Sequence, residues 1–180
     1  YGFRLLGVTD ENGDARTTKT TRQGAVISIR IGDPDRRVQG TQVYYVRYRA
    51  RDVLRQFGEH DELYWNVTGH QWNAPIGEAS VIVRLPAEVM SDDLEIHGWA
   101  GKYGARSENV NARVSQPGVV EFSTTGSLGP REGLTVAVLA VVSYLLVGGS
   151  LGTIPLAGLM VFTLYRALKL YESLHRRNEE

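Results

Sequence analysis

Alternation of apolar and polar side chains predicts β-strands along most of the first 140 residues. The period of two is clearest in residues 25–31, 41–51 and 79–85. In 41–51 one set of alternate positions is expected to face the core, namely Tyr44, Val46, Tyr48 and Ala50. Shorter apolar stretches separated by turn residues lie at 3–9, 94–99, 110–114 and 119–122. Roughly seven to nine short strands with regular turn signals predict an antiparallel β-sandwich.

The longest uncharged run, residues 133–165, lies between Glu132 and Arg166 and predicts a membrane anchor. A hydrocarbon core about 30 Å thick needs roughly 20 helical residues, so the whole run is too long for one simple span. Residues 134–139 are rich in β-branched side chains and follow a turn, which predicts a strand closing the β domain. Residues 141–168 are then expected to form a single tilted transmembrane helix. A helical hairpin bending near residues 148–152 is the alternative, although its arms are short and its bend exposes backbone to lipid.

Charges flanking the run predict the topology. The cations that follow it are Arg166, Lys169, Arg176 and Arg177, and the positive-inside rule places such a tail in the cytoplasm. Residues 1–140 are therefore expected to form an extracytoplasmic (periplasmic) domain on the bacterial cytoplasmic membrane, and residues 169–180 a short basic cytoplasmic tail. The chain opens at Tyr1 rather than Met, so an upstream signal or further domain sequence is expected to be missing.

Composition excludes several function classes. Residues 1–140 carry 16 basic and 17 acidic side chains, so no basic surplus exists to neutralise nucleic acid phosphates. The absence of cysteine excludes disulfides, thiol catalysis and thiolate metal sites. The sequence has no Gly-x-Ser-x-Gly elbow, metalloprotease helix or phosphate loop. We therefore expect a protein that is not an enzyme and needs no cofactor.

Residues 59–72 concentrate two tryptophans, a tyrosine, two histidines and three carboxylates. His60, Asp61, Glu62 and His70 are suitable metal ligands, but their spacing matches no known arrangement. In extended backbone the adjacent Asp61 and Glu62 point to opposite faces, which disfavours a shared acid/base site. The structural interpretation is a folded loop in which Trp65 and Trp72 plug the end of the domain and polar groups bond local backbone. A ligand or partner surface is the alternative. Asn66-Val67-Thr68 matches a glycosylation acceptor, but a turn is the favoured interpretation.

The central motif of this stretch, residues 61–69, is followed by Trp72 and by the pair Pro75-Ile76. With further landmarks at 29–33 and 132–136, it resembles the bacterial predicted membrane proteins grouped as domain of unknown function 2207, over about residues 1–139. The resemblance implies an extracytoplasmic β-rich domain fused to membrane spans, without an established activity. The chain is expected to depart from that pattern in two ways, by lacking the beginning of the domain and by having one span with a short tail where relatives often have more membrane and cytoplasmic sequence.

Two polar patterns have competing interpretations. Asp10, Asn12 and Asp14 are spaced as in a calcium loop, but the glycine is misplaced and no bidentate Glu follows, so the Asn12-Gly13 pair predicts a tight turn. On the outward face of residues 41–51, three arginines form a basic row: Arg47, Arg49 and Arg51. This row is either a solvated or salt-bridged face, or a surface that docks against lipid head groups or an acidic partner.

Together these features predict a non-catalytic interaction protein, an accessory subunit whose β-sandwich docks on and stabilises a larger membrane complex, such as a respiratory or photosynthetic one. The candidate interaction surface comprises His60, Tyr64, Trp65, Trp72, Arg47, Arg49 and Arg51. Small residues in the run would let another helix approach closely: Gly148, Gly149, Gly152, Thr153 and Ala157. Alternatively these glycines are ordinary for a span that Pro155 kinks. An extracytoplasmic ligand-binding or sensor domain, with the Trp65/Trp72 loop as its mouth, is the second functional hypothesis.

Overall fold

The computed structural model describes residues 2–24, 26–33, 35, 38–57, 60–86, 94–105, 107 and 109–141, and its regular elements are eleven β-strands. Their bounds are β1 Gly2–Thr9, β2 Thr18–Gln23, β3 Val26–Ile31, β4 Tyr45–Arg51, β5 Leu54–Gln56, β6 His60–Asn66, β7 Ser80–Arg84, β8 Leu94–Lys102, β9 Val110–Gln116, β10 Val119–Thr124 and β11 Glu132–Val141. Within these residues no helix is long and apolar enough to cross a membrane. Beyond Val141, the predicted transmembrane helix, its small residues and the tail lie outside the described residues.

The strands form four antiparallel sheets, in agreement with the predicted mainly β class. One sheet has the order β5-β6-β11-β8, and a second has the order β7-β10-β9. The remaining strands pair as β1–β4 and β2–β3. β11, the predicted closing strand, is central because it pairs with β6 on one side and β8 on the other.

A buried cluster contains side chains from both of the larger sheets. Leu134 and Val136 of β11 and Val120 of β10 are fully buried, and Phe122 of β10 retains only 2% exposure. The predicted alternation of 79–85 is confirmed, because Val81 and Val83 of β7 point into this cluster while the residues between them are exposed. Burial of these apolar side chains is the main favourable term in folding.

β11 is also covered on its second face. Thr135 and Ala137, which point away from the buried cluster, retain only 7% and 1% exposure. A strand buried on both faces has no need for polar residues at alternate positions, so it reads as a continuous apolar segment. This explains why β11 merges, in sequence, with the uncharged residues that follow it.

The two-stranded sheets refine the predictions for the N-terminal part. β4 alternates as expected, with Ala50 buried and the arginines exposed. In β1 a register shift between Leu5 and Gly7 leaves Leu6 52% exposed while Val8 stays buried. β2 is an exposed strand that pairs only with β3 among the described strands.

β11 gives the four-stranded sheet two distinguishable ends. At the Val141 end, Val141 pairs with His60 and Ala140 pairs with Leu94. At the Glu132 end, Glu132 pairs with Lys102. Nine residue steps separate these ends, which corresponds to about 30 Å at 3.3–3.4 Å per residue.

Candidate interaction surfaces

The aromatic-rich motif begins as a strand, which corrects the prediction of a loop. β6 covers His60–Asn66 and pairs with β5 and β11. Asp61, Leu63 and Trp65 alternate with more exposed residues, so the motif has the period of two of a half-buried strand. As predicted, the adjacent Asp61 and Glu62 lie on opposite faces, which separates the two carboxylates.

Residues 66–72, at the end of β6, form hydrogen bonds to their own backbone, and we call this segment the latch. The Asn66 Oδ1 atom accepts a hydrogen bond from the Gly69 N–H at 2.8 Å. The Thr68 hydroxyl accepts one from the Leu134 N–H at 2.9 Å and donates one to the Gly69 carbonyl at 3.2 Å. The Trp72 Nε1–H donates to the Thr68 carbonyl at 2.7 Å. The prediction that polar groups of the motif bond local backbone is confirmed, and the latch secures the start of β11.

Trp65 lies on the core-facing side of β6 and packs against the main buried cluster. Its ring is 6.4 Å from that of Tyr48 on β4, which is in turn 5.2 Å from the ring of Phe3 on β1. This aromatic column connects the β1–β4 sheet to the four-stranded sheet. Trp65 therefore does not share a surface with Tyr64, which points to the opposite face of β6.

The opposite face of the four-stranded sheet carries an aromatic ladder, defined as Arg55, Tyr64, Trp99, His97 and Glu95. The Arg55 Cζ atom lies 5.3 Å from the centre of the Tyr64 ring, which is 6.1 Å from the Trp99 ring. The Trp99 and His97 rings stack at 5.7 Å, and His97 Nε2 lies 2.8 Å from Glu95 Oε1.

The register places this ladder over β11. Ala137 has Tyr64 as its partner on one side and His97 on the other, and Thr135 pairs with Trp99. The ladder therefore covers the second face of β11. It also leaves a row of aromatic edges at the surface, including Tyr64 at 44% exposure.

Trp99, His97 and Arg55 were not singled out from the sequence. A partial signal exists, because alternation in 94–99 places His97 and Trp99 on the face opposite Ile96. Their proximity to Tyr64 depends on β11 lying between β6 and β8, and this strand order is a long-range property that local pattern does not contain.

His60, the first residue of β6, lies at the Val141 end of the sheet. Its ring stacks on that of Phe57 at 4.8 Å, and the Phe57 N–H donates to the His60 carbonyl at 2.9 Å. Phe57 is 48% exposed. His60 and Trp72 are therefore found at opposite ends of β6 rather than in one site.

The predicted basic row of β4 is larger than expected, because Arg4 of β1 pairs directly with Arg49. We call Arg4, Arg47, Arg49 and Arg51 the arginine face, and all four are exposed. The ion pairs within the described residues are Arg16–Asp10, Arg55–Glu62 and Arg113–Glu121, and His97 also contacts Glu95, so none of these contacts involves this face.

The Asp10 carboxylate organises a turn, which confirms the turn interpretation of the Asp10–Asp14 stretch. Its Oδ1 atom accepts hydrogen bonds from the N–H groups of Asn12 and Asp14, both at 2.9 Å. Its Oδ2 atom lies 2.8 Å from a guanidinium nitrogen of Arg16. The carboxylate oxygens are thus engaged within the chain.

A polar cavity of about 350 Å³ opens at the Glu132 end. Its charged lining residues within the described part of the chain are Lys102 and Glu132, and neither Trp65 nor Trp72 lines it. Among the described residues, no group of three or more His, Cys, Asp or Glu side chains is placed to hold a metal ion.

Residues 3–140 match the N-terminal domain of a family described as predicted membrane protein (DUF2207). The chain belongs to this family. The match includes the latch, the aromatic ladder, the arginine face and all but the last residue of β11. The chain is 26% identical over 120 residues to the uncharacterized protein YciQ of Escherichia coli (strain K12), covering 66% of this chain and 18% of the relative. The chain therefore matches less than a fifth of that relative's length. No solved structure matches the chain.

Proposed function

We propose that this DUF2207 chain is an extracytoplasmic β-sandwich, anchored in the bacterial cytoplasmic membrane by a single helix, that acts without catalysis by docking on another membrane protein. The observation that carries the proposal is the course of β11. This strand is the central strand of its sheet, and its Val141 end continues in sequence directly into the uncharged residues 142–165. Membership of a family described as predicted membrane proteins supports association with a membrane.

The absence of a polar linker would restrict how the domain sits. With residues 141–168 in the bilayer, the Val141 end faces the membrane and the Glu132 end lies up to about 30 Å further out. β11 is paired on both sides up to this end, Val141 with His60 and Ala140 with Leu94, which makes the connection stiff. A stiff, membrane-proximal domain suits a clamp or spacer in an assembly better than a freely sampling receptor.

The aromatic ladder is the surface best suited to a protein partner. Tyr, Trp and Arg are enriched at protein interfaces and dominate their binding energy. Because the ladder side chains already stack on one another, less conformational entropy is lost when a partner covers them. Close packing of a partner helix against Gly148, Gly149, Gly152, Thr153 and Ala157 would add a second contact within the membrane.

Purification in mild detergent followed by mass spectrometry tests the docking proposal. We expect membrane subunits to co-purify with the parent chain and to be lost from the double variant Tyr64→Ala, Trp99→Ala. Ile82→Ala is the matched control, because Ile82 is 48% exposed but belongs to the other sheet. A lone monomer from the parent chain would overturn the proposal.

The proposed topology can be tested by labelling, because the chain contains no cysteine. In Tyr103→Cys the single thiol replaces a side chain that is 89% exposed, and a membrane-impermeant maleimide should label it from outside the cytoplasmic membrane. Asn178→Cys, in the basic tail, should react only after the membrane is permeabilised. The reverse pattern would exclude this orientation.

A ligand-binding or sensor domain is the second proposal, and the polar cavity at the Glu132 end is the observation that favours it. A small ligand there would contact Lys102 and Glu132. A thermal-shift screen with amino acids and monosaccharides tests it. A compound that raises the melting temperature of the parent chain but not of Lys102→Met would support this function, and no shift with any compound would count against it.

A further inference from the structure

We propose that the arginine face binds the phosphate groups of anionic lipids in the same membrane that anchors the chain, as a second contact that orients the domain. The inference rests on the proposed anchoring by residues 141–168. It adds a lipid-recognition site to a domain whose proposed docking surface is otherwise the aromatic ladder.

The gathering of four arginines on one face favours an anionic ligand. Arg4 and Arg49 are direct cross-strand partners, and like charges in that position are destabilising. Arg47 and Arg51 flank Arg49 on the same side of β4. No ion pair within the described residues offsets this repulsion, so a bound anion would relieve it.

The other side of the β1–β4 sheet is already committed to the interior. Tyr48 stacks between Phe3 and Trp65, and Ala50 is buried. These contacts fix the inner side of the sheet, so the arginine face points outward.

Charge is also segregated along the domain. Residues 1–57 carry 11 basic and 6 acidic side chains, whereas residues 58–141 carry 5 and 11. The balanced net charge therefore results from a basic N-terminal part and an acidic remainder. An anionic surface would attract the first and repel the second, which gives the domain a preferred orientation.

The register brings the lower part of the arginine face near the point where the chain leaves the sheet. Arg51 is followed after two residues by Leu54, which pairs with Leu63. Leu63 pairs in turn with Val138, three positions before Val141. Three strand positions correspond to about 10 Å and the three residues from Arg51 to Leu54 span at most about 10 Å more, so Arg51 lies within about 20 Å of the level at which the proposed helix begins.

Guanidinium groups suit this ligand. Their planar fork matches phosphate oxygens in a bidentate manner, which a lysine ammonium does not. Basic side chains near an anionic bilayer are attracted by its negative surface potential. Because the anchor keeps the face near the bilayer, weak individual contacts gain a high effective concentration.

A fluorescence experiment on the whole chain tests the proposal. Leu6→Cys introduces a unique thiol beside the arginine face, at a position that is 52% exposed. The labelled chain is placed in nanodiscs that contain an acceptor-labelled lipid, with either phosphatidylcholine alone or phosphatidylcholine mixed with phosphatidylglycerol. We expect higher energy transfer in the anionic discs, and loss of that difference in about 1 M salt, where the Debye length is about 3 Å.

Substitutions on the arginine face and elsewhere show which residues cause the dependence on phosphatidylglycerol. Replacing Arg4, Arg47, Arg49 and Arg51 by Gln should abolish the dependence on phosphatidylglycerol. Replacing Lys19 and Arg30 by Gln should preserve it, because these residues form a cross-strand pair on the separate β2–β3 sheet. Lysine in place of the four arginines should retain only part of the difference, since it keeps the charge without the planar fork.

The outcomes separate this inference from the proposed anchoring. If the chain does not co-elute with the discs, the anchoring proposal fails. If it co-elutes but energy transfer is the same in both lipid mixtures, the lipid-binding inference is overturned and an acidic protein becomes the better partner. The inference is also overturned if the glutamine variant still responds to phosphatidylglycerol.

Discussion

Gly133 and Gly69 approach each other so closely that a side chain at Gly133 fits only if neighbouring atoms shift. A Cβ atom on Gly133 would lie 2.6 Å from the Gly69 carbonyl oxygen and 2.8 Å from the Thr68 hydroxyl oxygen. Real Cβ contacts are essentially never shorter than 3.0 Å, and backbone is among the least yielding neighbours. The close approach holds the latch against the first residues of β11.

Gly133→Ala should therefore destabilise the domain by about 1–3 kcal/mol, the usual cost of overpacking. For a domain of this size we expect a melting temperature lower by several degrees, measured by near-UV circular dichroism of the chain in detergent. Gly77→Ala is the control, because no atom lies within 4 Å of its added Cβ. Equal melting temperatures for the two variants would contradict the close contact.

Thr68 should contribute through its hydroxyl rather than its methyl group. Thr68→Val keeps the shape but leaves the Leu134 N–H, in a fully buried residue, without its acceptor. An unsatisfied buried donor costs about 1–3 kcal/mol. Thr68→Ser keeps the acceptor and should be milder.

Amide hydrogen exchange at Leu134 distinguishes the two variants. Exchange should accelerate in Thr68→Val and remain slow in Thr68→Ser. Fast exchange in Thr68→Ser and slow exchange in Thr68→Val would mean that packing of the threonine methyl group, rather than the hydrogen bond, secures β11.

The strands that the sequence predicts well are those with one buried face. β7 and β4 alternate because one side of each packs inward and the other meets solvent. This periodicity is visible in consecutive residues of the sequence. β11 was also predicted, from its β-branched residues and the turn before it. Its central position was not, because burial on both faces erases the alternation and leaves the pairing partners unspecified.

Features that depend on strand order were not predicted from the sequence. For the aromatic residues of β6 the sequence predicted a folded loop with Trp65 and Trp72 at the end of the domain. Pairing with β11 turns one face of β6 toward the core and places Tyr64, on the other face, in the aromatic ladder. Arg4 joined the arginine face only through its register with Arg49, a contact between residues 45 positions apart.

Gly98 of β8 provides a test of core packing that needs two substitutions. A Cβ at this position would lie 2.6 Å from Val110 Cγ1 and 3.3 Å from Phe122 Cδ1. Gly98→Ala should cost about 1–3 kcal/mol through overpacking. Val110→Ala alone should also destabilise, because it removes apolar contacts.

Combining Gly98→Ala with Val110→Ala should cost less than the sum of the two single changes. The truncated valine makes room for the new methyl group, and residues in contact commonly show coupling of about 0.5–3 kcal/mol. Urea denaturation of the four proteins measures the cycle. Additive free energies would show that Gly98 and Val110 do not compete for the same space.

The pH dependence of stability should include a contribution from Glu121. Hydrogen bonds from Arg113 and then Ser115 hold the pKa of this carboxyl below its ordinary value of 4.5. A pKa lowered by folding adds stability above the unfolded pKa, and this stability is lost as pH falls through the folded pKa. The effect is small because the pair is exposed to solvent.

Arg113→Gln should consequently lower the melting temperature slightly at neutral pH, and the difference from the parent should vanish once the pH falls below the lowered pKa of Glu121. Arg30→Gln is the control, because Arg30 is exposed on β3 and does not contribute to the Glu121 shift. A deficit of Arg113→Gln that persists unchanged in acid would indicate lost packing rather than lost charge pairing.

Asp10 should stabilise the chain as a turn residue and not as a calcium ligand. Asp10→Ala removes the acceptor of two backbone N–H groups and the partner of Arg16, and should cost about 1–3 kcal/mol. Asp10→Asn retains an oxygen for the backbone donors and should cost less. Calcium at about 10 mM, above the dissociation constants of extracellular calcium modules, should leave the melting temperature unchanged because both carboxylate oxygens are already engaged. A calcium-dependent rise in the parent that Asp10→Asn abolishes would restore the calcium-loop interpretation.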